Sequence, residues 1–365
     1  MSYTKPPSFD VTALRVPIDP PSVEVAAAAA ERLVDHSVVM PPGAAAATLG
    51  DLAVWLAATQ NQVLPRQLIN VRLVIFAGDH GVTGGGESES LSEPTGEKVR
   101  AALAELRGVN SLAAAHGVTV RVLDLAVDDD FDDLAEESRA ALQAYKVRRR
   151  SGAIDVEDAL SQCEVHTALA AGAAVAHEEI AAGAQLLISG ELGGENLTSA
   201  AASVAATLGL PASSVVGRGG GIDDSALQRT TAVIASALSR AGDRVGDPMT
   251  ALAALGSADL AASTGYLLTA ARCGIPALIG GLPATASALI ADAIAAGAAA
   301  WFTAGHRSAN DPAQALALTQ LGLTPLINRT LPFGEGSGAV AAVPLLRSAA
   351  AMLIQTALPS DLTLD

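Results

Sequence analysis

Arg72-Leu-Val-Ile-Phe-Ala77 runs directly into Gly78-Asp-His-Gly-Val-Thr-Gly-Gly-Gly86. A short, unbroken apolar run is the pattern of a strand covered on both faces, as in a parallel sheet. A polar, glycine-rich loop at the end of such a strand is where open α/β sheets place their ligands. The same grammar recurs along the chain. Val118–Leu125 (VTVRVLDL) reads as a strand and leads to the acidic loop Asp128–Asp133. Gln185–Ser189 (QLLIS) leads to Gly190-Glu-Leu-Gly-Gly-Glu-Asn-Leu-Thr198, and Ile275–Ile279 leads to Gly280-Gly281. Helical spacing fills the intervals: Ser22–Val39, Ala46–Gln62, Gly96–His116, Cys163–Ala182, Ser199–Gly209, Ser225–Arg240, Leu260–Cys273, Ala284–Ala300 and Gly338–Thr356. Strands alternating with helices predict an α/β fold, a mostly parallel sheet flanked by helices in a Rossmann-like three-layer arrangement.

Composition narrows the function classes. The 365 residues carry 22 Lys+Arg against 38 Asp+Glu, a formal net charge of -16. Half are hydrophobic and 16% charged, which excludes a disordered chain. Two cysteines cannot make a disulfide scaffold; Cys163 and Cys273 are expected to be small buried hydrophobes. A pI near 4.7 argues against a nucleic-acid partner. Abundant alanine and glycine with 3% aromatics suit helices packed closely over a sheet. The first 22 residues lack a basic segment followed by an apolar one, so no signal peptide is read there. The apolar runs Ala286–Phe302 and Val340–Leu358 are interrupted by Asp292 and by Pro344 and Arg347, so no membrane span is expected and the reading is cytoplasmic.

Three glycine-rich loops, 78–86, 190–194 and 217–221 (after Val215-Val216), sit at predicted strand ends. Glycine lets main-chain N–H groups approach a ligand, and such groups hold phosphate without basic side chains. A dinucleotide fingerprint is disfavoured because the first strand ends in GDHG rather than G-x-G-x-x-G, and there is no P-loop. Glu335, between two glycines ahead of the last helix, is either a general base in a pocket beside Phe333 or an acid favoured by the helix dipole. Glu191 is a second candidate carboxylate, or a solvated loop charge. Asp79 and His80 either touch ligand or order their loop. Asp223-Asp224 looks like a helix N-cap. The histidine spacing supports no metal site, and no cofactor is expected.

FAGDHGV (76–82), KVRRRSG (146–152), LLISGELG (186–193), GRGGGIDD (217–224), AGHRS (304–308), LGLTPL (321–326) and FGEGSGA (333–339) occur in this order. Together they resemble the nicotinate-nucleotide–dimethylbenzimidazole phosphoribosyltransferase family, over about residues 22–358. The resemblance implies a large α/β domain (66–332), a small helical domain from both chain ends (1–65 and 333–365), and a homodimer. It implies transfer of the phosphoribosyl group of nicotinate mononucleotide to 5,6-dimethylbenzimidazole or a related base, giving α-ribazole 5′-phosphate and nicotinate for the cobalamin nucleotide loop. It assigns the general base to Glu335, and places Glu191, Gly193, Gly217, Gly219 and Ser308 near the phosphoribosyl group. Departures cluster at substrate-facing positions. Glu195 stands for a family glycine, Thr230 for a lysine, Gly280-Gly281 for Asp-Gly and Phe333 for leucine, and SESLSEPTGEKV (88–99) replaces the usual loop after GDHG. These departures leave open a non-catalytic or specificity-altered paralogue that binds a nucleotide or aromatic base, and a hydrolase acting at the same carbon.

Overall fold

The protein is described by a computed structural model covering residues 12–36, 44–82, 93–217, 223–329, 331 and 334–355. Its strands are β1 (Val71–Gly78), β2 (Val118–Ala126), β3 (Leu186–Leu192), β4 (Ala277–Gly280), β5 (Phe302–Arg307) and β6 (Ile327–Asn328). They form one sheet in the order β2-β1-β3-β4-β5-β6, with every neighbouring pair parallel. The helices, in chain order, are α1 (Val23–His36), α2 (Ala44–Thr59), α3 (Thr95–Leu103), α4 (Gly108–Ala115), α5 (Glu136–Leu142), α6 (Gln162–Ala181) and α7 (Asn196–Leu208). They continue as α8 (Ala212–Val215), α9 (Asp224–Ala241), α10 (Pro248–Leu255), α11 (Ala258–Arg272), α12 (Leu282–Ile294), α13 (Pro312–Gln320) and α14 (Ser337–Gln355).

The apolar run that opens the sheet behaves as its composition dictates. Alternate side chains of β1 enter two separate cores: Val74 and Phe76 join the layer of α6, α7 and α10–α13, while Leu73, Ile75 and Ala77 join that of α1, α2, α4 and α14. Both faces are therefore covered, which is why the strand shows no polar alternation. The alanine and glycine content acts at the α6–α11 contact. A Cβ at Gly172 would strike the carbonyl of Ala262, and one at Gly265 that of Leu169. Ala258 to Ala271 are all buried, making α11 the central helix of its layer. The long apolar α14 could cross a membrane by length and composition, yet Val340, Val343, Leu346, Ala350 and Leu353 are buried in the second core. Its Arg347 donates to the carbonyls of Leu68 and His116.

Several sequence expectations need correction. The single helix expected over Gly96–His116 is two, α3 and α4. The first stops through a 6→1 bond from Leu106 N–H to Ala101 O (2.8 Å) with Glu105 in the left-handed region (φ 60°). That stop is ordinarily marked by glycine, so periodicity could not reveal it. The helix expected over Ala284–Ala300 ends at Ile294, and β5 follows. Val215 closes the short α8, so the loop beginning at Gly217 follows a helix and not a strand. Helices α5, α8, α10 and α13 fall outside the helical segments read from the sequence. Cys163 and Cys273 are exposed, not buried, because they lie at the ends of α6 and α11 and not on their packed middles. Asp223 is an N-cap as expected, accepting from Ala226 N–H at 2.7 Å.

Candidate functional site

The strand order reverses between β1 and β3: the chain leaves β1 for β2 on one side, then returns to β3 on the other. Loops diverge at such a switch point and leave a crevice at the strand C-termini. A cavity of about 970 Å³ lies there. Asp79 and His80 from the end of β1, Gly193 to Thr198 from the end of β3 and the start of α7, Val215 to Gly217, and Asn310-Asp311 all line it. Register explains the meeting. Ala77 pairs with Leu192, so Gly78 and Gly193 leave the sheet side by side. A Cβ at Gly193 would run into the Gly78 carbonyl oxygen.

Asp79 orders its loop and still faces the cavity: its Oδ2 accepts from Asp128 N–H at 2.8 Å. His80 is buried, with Nε2 3.3 Å from Asp259 Oδ2 at the start of α11. Burial opposes charge on this ring, but Asp259, and then Asp79 and Glu195, outweigh it and raise the imidazole above its ordinary value. Its Nδ1 and Asp259 Oδ1 are buried without a partner among the described residues.

Glu191 is not a solvated loop charge. It lies within β3, paired in register with Phe76, and is buried. Ser263 Oγ donates to its Oε1 at 2.7 Å and Ser189 Oγ at 3.1 Å, the two hydroxyls being 2.7 Å apart. Burial lifts this carboxyl to about 7 against those two hydrogen bonds, and the charge of Asp259 adds to the rise.

Glu335 stands in a run of three left-handed residues, Gly334 (φ 63°), Glu335 (φ 56°) and Gly336 (φ 81°). The turn brings the Glu335 main chain against β3: a Cβ on Gly190 would lie 2.6 Å from Glu335 O. Although glycine flanks it on both sides, the side chain is buried and ion-paired. Arg107 Nε donates to Glu335 Oε1 at 2.9 Å, and Nη2 donates to the same oxygen. Arg107 Nη1 donates to Glu93 Oε2 at 2.9 Å. Glu335 Oε2 is buried with no partner among the described residues. Neither Glu335 nor Glu191 lines the cavity directly; Glu335 is one step behind it, linked through Arg107 to Glu93, which does line it.

The remaining expected residues divide. Gly217 lines the cavity and packs so closely that a Cβ would lie 2.5 Å from Asn310 O. Ser308 is beside the site, its N–H donating to Gln314 Oε1 at 2.9 Å, but it does not line the cavity. Gly219 and Phe333 lie outside the described residues. Glu195 lines the cavity in the left-handed region (φ 60°) at the N-cap of α7, where Thr198 Oγ1 donates to its Oε2 at 3.3 Å. Thr230 also faces the cavity. Among the described residues the cationic side chains of its lining are Lys98 and Arg150, neither of them ion-paired there. Sequence reading missed Arg107, Asp259, Ser263, Lys98 and Arg150. Arg148 and Arg149 of the RRR tract are taken by Glu164, Asp128 and Asp130, which singles out Arg150. Among the described residues no group of three or more His, Cys, Asp or Glu side chains is placed to hold a metal ion.

Residues 18–361 match a family described as phosphoribosyltransferase. The chain is 45% identical over 336 residues to a nicotinate-nucleotide–dimethylbenzimidazole phosphoribosyltransferase of Mycolicibacterium paratuberculosis, covering 92% of this chain and 93% of that one. The protein of the same name from Mycobacterium tuberculosis (strain ATCC 25618 / H37Rv) is 44% identical over 330 residues, covering 90% and 89%. Among solved structures, CobT from Thermus thermophilus superposes with a TM-score of 0.83 at 36% identity, covering 93% of this chain and 98% of that one.

Proposed function

The chain belongs to the nicotinate-nucleotide–dimethylbenzimidazole phosphoribosyltransferase family, and on that premise we propose that it moves the phosphoribosyl group of nicotinate mononucleotide to 5,6-dimethylbenzimidazole, releasing nicotinate and α-ribazole 5′-phosphate. A ring nitrogen of the acceptor forms the new bond to ribose C1. The bond from C1 to the nicotinate nitrogen breaks, its electron pair stays on that nitrogen, and the acceptor N–H proton goes to Glu335. The leaving pyridinium is already cationic, so one base suffices and the reaction balances without a cofactor.

One observation carries the reading: a buried carboxylate with an unpartnered oxygen, Glu335 Oε2, is joined through Arg107 to Glu93 in the lining of a large cavity at the sheet's switch point. The phosphate end goes with Gly193, Gly217 and the N-terminus of α7, where N–H groups and the helix dipole favour an anion. Asp79, His80, Glu191, Gly219, Ser308 and Phe333 complete the proposed substrate-binding set. The decisive experiment incubates the protein with nicotinate mononucleotide and dimethylbenzimidazole and follows both products by mass. Nicotinate appearing without added base would mean hydrolysis instead, and no turnover with any azole would sink the transferase reading.

The protein is proposed to work in the cytoplasm and as a homodimer. Support for the latter is a groove of mixed polarity at the edge strand β2, where Leu103, Val118 and Val120 lie among Glu105, Asn110 and Thr119, with Leu103 and the nearby Leu106 exposed. A monomer by sedimentation at micromolar concentration would count against it. The helices of both chain ends are proposed as the small domain (1–65 and 333–365) against the large one (66–332): α14 packs on α1 and α2, and all three share a core with Leu73, Ile75 and Ala77 of the sheet.

A further inference from the structure

We propose that Arg107 is a positioning residue for the reaction: it grips one oxygen of Glu335 and so presents the other, Oε2, to the acceptor's N–H. The inference rests on Glu335 being the base. Arginine usually meets a carboxylate fork to fork, one N–H per oxygen. Here Nε and Nη2 both converge on Oε1, while Oε2 is buried with no donor among the described residues. A buried acceptor without a partner is costly, and such orphans mark places where a ligand group completes the set. The only proton this chemistry has to place is the one on the acceptor's ring nitrogen, and Oε2 is the oxygen left for it.

Glu335 needs an outside hold because its own backbone offers little. It lies between two left-handed glycines, where neighbouring side chains cannot fix its direction. Arg107 has the opposite setting. It is the N-cap residue of α4, in extended conformation (φ -85°, ψ 155°), and its far nitrogen is tied to Glu93. The hydrogen bond to Glu335 is the largest of the effects that keep its guanidinium firmly charged. Glu93 is also part of the cavity lining. The base is thus held from the start of α4 and not from its own loop.

The test uses the full chain with nicotinate mononucleotide and dimethylbenzimidazole. Arg107→Gln and Arg107→Ala are expected to lose roughly a hundredfold in kcat, the scale of a misplaced reacting group, with KM for the mononucleotide nearly unchanged. Added guanidinium should restore part of the rate of Arg107→Ala but none to Glu335→Gln. Arg107→Lys, which cannot hold Oε1 and Glu93 together, should fall between. A wild-type kcat in Arg107→Gln, or a loss that guanidinium does not relieve in a variant of unchanged Tm, overturns the inference. If Arg107→Ala fails to fold, full activity in Arg107→Lys overturns it instead. The two readings separate cleanly: turnover retained by Glu335→Gln refutes the base itself, whereas an inactive Glu335→Gln beside a fully active Arg107→Gln refutes only the role of Arg107.

Discussion

His80 Nε2 lies 3.3 Å from Asp259 Oδ2, with both side chains buried, so the end of β1 is tied to the first turn of α11. The same aspartate acts on Glu191, whose raised value it supports. One buried carboxylate therefore acts on two titratable groups, His80 in the cavity lining and Glu191 within β3. It stabilises the proton on His80 and disfavours the charge on Glu191.

Both shifts run upward, and both make stability fall as pH rises. The raised imidazole contributes stability that is fully present below 6.5 and lost as pH climbs through its folded-state value. Glu191, raised from 4.5 to about 7, keeps a proton that the unfolded chain gives up across that window. That alone amounts to about 3 kcal/mol lost between its unfolded and folded values. Urea denaturation between about pH 5 and 8 should show the decline, and Glu191→Gln and Asp259→Asn should each flatten it. An unchanged slope in Glu191→Gln would rule out its part.

Glu335→Gln keeps the shape of the side chain and removes its ability to take a proton. Turnover should drop by ~10²–10⁴-fold, the usual worth of a general base. Binding of the acceptor base, followed by fluorescence or calorimetry, should persist because glutamine fills the same space.

Glu195 is a departure with a stated cost. Its left-handed backbone suits glycine, and its carboxylate lines the cavity proposed for an anionic nucleotide. Glu195→Gly should lower KM for nicotinate mononucleotide by about threefold or more, the worth of one partly screened charge. The gain should shrink as salt is added. Stability should change by under about 1 kcal/mol, because relief of strain and the extra freedom of glycine in the unfolded chain oppose each other. An unchanged KM at low salt would mean that the carboxylate does not feel the ligand.

Gly193→Ala tests the packing that forms the crevice. The added methyl meets the Gly78 carbonyl oxygen, a main-chain atom that cannot swing aside. A loss of about 1–3 kcal/mol in urea denaturation is expected, the usual cost of overpacking, together with weaker mononucleotide binding. A fully stable, active variant would show that the two loops can part without harm.

The scaffold was legible because it depends on patterns that survive in one dimension. The apolar run at 72–77 announces a strand buried on both faces, and GDHG immediately after it announces a loop at a ligand edge. GEG at 334–336 announced a carboxylate in an unusual turn, and all three of its residues are left-handed. Local rules failed where an atypical residue took a typical job. Glu105 ends α3 in a conformation that glycine normally signals, and that hidden stop is what puts Arg107 at the start of α4. The same blindness applied to burial. Glu191 follows Gly190 and reads as loop, yet β3 continues through it.

Side-chain period, glycine placement and residue type within a few positions thus suffice for the α/β alternation, the order of the motifs and the carboxylates worth watching. The partnerships arise only in the folded chain: Arg107 with Glu335 across 228 positions, His80 with Asp259 across 179, and Ser263 with Glu191 across 72. Such contacts depend on which strand lies beside which and in what register, and burial then makes each charge answer to a neighbour that nothing in the local sequence names.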